Sequence, residues 1–340
     1  MTKNKKEKKS LKEFLIDNGL IIVMFILIAI IIIKEPKFVN YKNAINILNQ
    51  ASTKLIMALG VGGLIVLAGT DLSAGRALGM TAAVSTAMLQ SADYAQRYFP
   101  EMAEMPIIVG FLAAITVGGL IGLFNGIGVA KLKLHAFIAT LGTQLILYGL
   151  LQAFINASPW GAQPLGGFKD SYIKLVLGSV KIGKFELPYL IIYAAIASAI
   201  MWVIWNKTTL GKNMFAIGGN KEAAAVSGIN VDKNIIIIFV ISGIMYGIAG
   251  FLEGPRIGNA TITTGTNYDL DAIAACVIGG VSFSGGVGTI TGIILGSILL
   301  QVINYGLLFI GVQTYWQIVI KGSLIILAVA LDTRKYLQKK

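Results

Sequence analysis

Charge is scarce in this sequence: 13% of its 340 residues are Asp, Glu, Lys or Arg, against roughly 25% in an average soluble domain. Water is therefore not the main solvent of the chain. His135 and Cys276 are the only histidine and cysteine, too few donors for a zinc centre and no basis for a disulfide framework. His135 reads as a polar residue at a helix end beside Lys131 and Lys133. The Gly-x-x-x-x-Gly-Lys-Ser/Thr loop that cradles nucleotide phosphates is missing; Gly211-Lys212-Asn213 and Lys321-Gly322-Ser323 are the nearest strings. The chain therefore does not hydrolyse ATP by itself. A Gly-x-Ser-x-Gly elbow is missing too, which argues against an intramembrane serine protease.

What is abundant is apolar, 56% of the residues. Crossing a hydrocarbon layer of about 30 Å takes about 20 mostly apolar residues, each advancing the helix by about 1.5 Å. Residues 14–33 just reach that length, and Lys34, Glu35 and Pro36 follow where a removed signal would have a small-residue cleavage site. This reads as a retained first helix that Pro36 breaks. Residues 44–48 suggest a short amphipathic turn, with re-entry at Leu55. Spans are then expected over 55–69, 77–89 with Asp71 or Ser73 as cap, 107–130, 136–155, 187–205 and 235–252. Residues 272–320 carry no charge and suffice for two spans, interrupted by the glycine-rich stretch 279–288; a last span over 315–331 contains Lys321. The reading is an all-α polytopic membrane protein, one domain over 1–340, with nine to ten helices and ten favoured.

The formal charge of +12 is concentrated in the ends, with six lysines among residues 1–13 and four basic residues among 332–340. Such tails are expected in the cytoplasm under the positive-inside bias, and a nucleic-acid partner has no motif support. Residues 91–106 and 157–186 are expected outside, and the polar segment 206–234 inside. Gly118, Gly122 and Gly126 recur every four residues, a smooth ridge for close helix approach. Within 206–234, Asn220 can cap a short helix that runs through Glu222, Ala223 and Ala224 and closes at Gly228. A rigid knob of this kind, with Gly219 at its entry, can seat in a partner and act as a lever.

Four segments resemble one family: GTDLSAG at 69–75, GGNKEAAAVSGI at 218–229, YDLDAIAACVIGGVSFSGGVGT at 268–289, and IKG with AVALD near the end. Over the whole chain they are similar to the permease subunits of bacterial ABC sugar importers of the ribose, xylose and galactose group. Arg76, FPEMAEMP at 99–106 and SFSGGVG at 282–288 place the resemblance nearest the galactose/methyl galactoside branch. It implies an inner-membrane subunit with both termini cytoplasmic, paired with a second copy. It also implies a separate ATPase that uses ATP and magnesium, and a sugar-binding protein outside. The permease itself would hold no cofactor, and segment 218–229 would be the ATPase-docking loop.

An uncharged sugar calls for a path of hydroxyls, amides and aromatics. The candidates are Asp71, Ser73, Asn125, Thr140, Thr143, Gln144, Asn304 and Tyr305, although Asp71 can equally cap a helix and Asn304 can equally bridge two helices. Glu253, Arg256, Asp269 and Asp271 form an expected outer charge cluster, either docking a binding protein or staying hydrated. An ion-coupled transporter is the rival reading. It needs carboxylates buried in the membrane, where Lys321 is the clear ionic residue deep in a span.

Overall fold

The computed structural model describes residues 11–183 and 185–337; the remainder of the two expected tails lies outside them. Helix α1 (Leu11–Lys34) ends two residues before Pro36, which opens a 3-10 turn at Pro36–Phe38. The expected split of the next segment is corrected. α2 runs unbroken over Tyr41–Val66, because Asn40 accepts from the Asn43 N–H at 2.8 Å and no proline interrupts the run. Its polar side chains find partners on other helices, so they do not force the chain into water.

α3 (Ala74–Met88) starts three residues earlier than expected. Ser73 holds the cap position without capping, its hydroxyl donating to Asp71 instead. α4 (Ile107–Ala130) and α5 (Ala136–Asn156) fall where the apolar runs put them. The stretch after α5 is more ordered than an irregular loop: α6 (Asp170–Leu177) leads into a hairpin of β1 (Ser179–Ile182) and β2 (Phe185–Pro188). That small hairpin is the departure from all-α.

α7 (Tyr189–Lys207) is followed by α8 (Thr209–Gly219) and α9 (Lys221–Val226), so the polar segment is largely helical. α10 (Val231–Ile257) is the packing centre, lying against α2, α3 and α4. A Cβ at Gly118 would fall on the Gly243 carbonyl, one at Gly122 on the Phe239 carbonyl, and one at Gly126 would lie 3.0 Å from Ile236 Cα. The glycine ridge of α4 thus lets the two helix backbones touch. α11 (Tyr268–Ile278) stops at Gly279, and α12 (Ile290–Phe309) and α13 (Thr314–Leu337) complete the chain. Among the described residues five helices are long and apolar enough to cross a membrane: α4, α5, α7, α10 and α12. The expected count of ten needs α1 and the shorter or more polar α2, α3, α11 and α13 as well.

Candidate functional site

Three arrangements place the functional candidates. The first is the short helix α9. Asn220 accepts from the Ala223 N–H at 2.9 Å, and Gly228 takes φ +86°, a backbone that L side chains rarely adopt. The Ile229 N–H then closes onto the Ala224 carbonyl at 3.1 Å. Ala224 is buried, whereas Glu222, Ala223 and Gly228 are exposed, and Val226 is 91% exposed. The helix is thus pinned at both ends and presents the apolar Val226 side chain outward.

The second is a buried polar chain linking α4, α5, α10 and the segment between α2 and α3. Thr143 donates to Asn125 Oδ1 at 2.6 Å, the Asn125 amide donates to Ser73 Oγ at 2.9 Å, and Ser73 donates to Asp71 Oδ1 at 2.6 Å. Tyr246, unforeseen from sequence, donates to Asp71 Oδ2 at 3.1 Å. Thr140 accepts from the Leu72 N–H at 3.1 Å beside them. Four of the eight path candidates are therefore one network in which each group satisfies the next, with Thr140 beside it. Gln144 is half-buried outside it. On α12, Tyr305 donates to Asn43 at 3.1 Å, and Asn304 lines a small cavity with Ser297 and Gln301.

The third corrects the expected outer charge cluster. Glu253, Asp269 and Asp271 are buried, not exposed. Arg256 grips Glu253 with two hydrogen bonds of 2.6 Å, and Thr53 and Tyr268 donate to the same carboxylate at 2.6 and 2.7 Å. Asp271 holds Lys54 at 3.0 Å and Lys321 at 2.5 Å. A carboxylate leaves water at low cost only when paired; Glu253 and Asp271 meet that condition with Arg256, Lys54 and Lys321, and the three acids are not a hydrated surface patch. Burial of these acids also corrects the expectation that Lys321 is alone among ionic groups deep in the protein. Thr53, Lys54 and Tyr268 were not foreseen as their partners; Lys54, a charge directly before the uncharged run 55–69, was the available signal.

Residues 43–329 match the family described as branched-chain amino acid transport system / permease component. The chain belongs to this family of transport permeases and is a multi-pass membrane protein. It is 51% identical to the galactose/methyl galactoside import permease protein of Haemophilus influenzae, covering 98% of this chain and 99% of that one. The Escherichia coli K12 protein of the same description is 52% identical, covering 98% of each. The ribose import permease protein of E. coli K12 is 36% identical over 95% of this chain and 96% of that one. No solved structure matches.

Proposed function

We propose that this chain is the permease subunit through which an ATP-driven importer carries galactose or a methyl galactoside across the bacterial inner membrane. Full-length identity of 51–52% to galactose/methyl galactoside permeases, against 36% to a ribose permease, carries the reading. A ribose substrate is less well supported on the same comparison. Among the described buried acids, Glu253 and Asp271 are matched by Arg256, Lys54 and Lys321, whereas Asp71 and Asp269 are buried without an ion pair, so the case against the ion-coupled rival rests on the full-length identity to import permeases.

In this proposal α9 is the handle on the cytoplasmic side. It seats in a separate ATPase, which binds ATP and magnesium, and both termini share its side of the membrane. A second copy of the chain supplies a second handle, and a sugar-binding protein delivers cargo outside. The buried Asp71 network and the α12 polar face are the candidate path. Uptake of labelled galactose into vesicles holding the chain, its ATPase and its binding protein tests the proposal. Uptake should need all three and ATP, and should survive collapse of the proton gradient; uptake without the ATPase would overturn it.

A further inference from the structure

Three of the sequence segments singled out above, far apart in the chain, meet at one point. α2 ends at Val66, α8 ends at Gly218 and Gly219, and the loop between α11 and α12 folds back through Gly285 and Gly286. The Gly286 N–H donates to the Val66 carbonyl at 2.8 Å. A Cβ at Gly218 would collide with that same carbonyl and would lie 2.7 Å from Gly286 N. One at Gly285 would sit 2.9 Å from Ala68 Cβ, and one at Gly286 would sit 2.8 Å from Gly219 Cα. Gly285 and Gly286 both take positive φ, +82° and +68°, so glycine is required there for backbone shape as well as for space.

Backbone lies against backbone here, with no side-chain rotamers between to absorb a displacement, and close-packed matter transmits strain. Asn220, the cap of α9, follows Gly219 directly. On the other side of the contact, α2 holds Lys54 in its ion pair with Asp271 and Thr53 in its hydrogen bond to Glu253, and the chain just past Val66 carries Asp71. A cavity of about 500 Å³, lined by Ala68, Gly69, His135, Gly218, Gly219 and Asn220, leaves room beside the contact.

We infer that Gly218, Gly286 and Val66 form a glycine junction that moves as one body with α9 and relays its displacement to α2 and the α11–α12 loop. These are positioning residues for coupling, and the inference rests on the reading of α9 as the ATPase handle. Gly218→Ala and Gly286→Ala are reconstituted with ATPase and binding protein, and Gly286→Ala, outside the docking loop, should keep the ATPase bound and its basal hydrolysis unchanged. Stimulation by sugar-loaded binding protein should fall roughly 5- to 150-fold, the usual range of coupling between two sites. Gly149→Ala on α5 is the control, because its Cβ would meet nothing within 4 Å and it lies outside the docking loop, and should behave as wild type. Wild-type stimulation in Gly218→Ala overturns the inference.

Should the alanine variants not fold, spin labels at Ser227 and Val287, both exposed, in a Cys276→Ser chain give a second test on the native junction. Their separation should stay fixed when ATP binds the assembled complex; a change overturns the relay. Failure of the handle reading looks different: Val226→Asp would then leave ATPase association intact, and the relay would fall with it.

Discussion

Asp271 places one carboxylate between two lysines from different helices, and this asymmetry ranks the mutants. Asp271→Ala strands both Lys54 and Lys321, whose side chains are 22% and 20% exposed, and should cost on the order of 3–5 kcal/mol, the effect of breaking a buried pair. Lys321→Met leaves Asp271 still held by Lys54 and should cost far less. Thermal unfolding of the purified protein checks the order; equal losses would contradict it. Outside the helices, Glu104 accepts from the Ala92 N–H at 2.9 Å and faces Lys169 at 3.1 Å. The backbone hydrogen bond first, then Lys169, hold its carboxyl below the usual range. A depressed native pKa stabilises the fold above the ordinary carboxylate pKa and loses that contribution as pH falls through the native one. The loop should therefore loosen on acidification below the ordinary carboxylate range. Trp160, whose indole N–H donates to the Arg97 carbonyl at 3.0 Å, should report it by fluorescence, and Glu104→Gln should remove the pH dependence.

Among the elements, α9 has six residues, too few to hold itself together without its ends. Asn220→Ala removes a cap worth about 1 kcal/mol and should lower sugar-stimulated ATP hydrolysis while membrane insertion is unchanged. α4 and α10 depend on their glycines in another way. Gly118→Leu would drive a side chain into the Gly243 backbone, and overpacking of this kind costs typically 1–3 kcal/mol. The yield of folded protein from membranes should drop, and a normal yield would mean the helices can part. α4 was legible at both ends because an uncharged run lies between Pro106 and Lys131. α2 was not, since Asn49, Gln50 and Lys54 look like a surface until Gln301 and Asp271 are seen beside them.

At the scale of the whole molecule, sidedness is the claim most open to a direct measurement. Ser227 is exposed on α9, and Cys276 is buried with its thiol donating to the Ala58 carbonyl at 3.3 Å, so the native thiol gives little background. Ser227→Cys should react with an impermeant maleimide in inside-out vesicles and stay unreacted on intact cells. Labelling from outside would reverse the topology and remove the handle.

Local chemistry marked the long apolar helices, the breaks at Pro36 and at the 279–288 glycines, and the capped knob at Asn220 to Gly228, because each depends on residues close together in the chain. Pairings across long separations were not legible. A separation of 217 positions from Lys54 to Asp271, or of 200 from Thr53 to Glu253, carries no local signal, and a lone acid in a sequence looks hydrated. Packing brought these groups together, turned an expected charged surface into buried ion pairs, and set three distant glycine-bearing segments against one another. In a membrane interior, charges must find each other once water is gone.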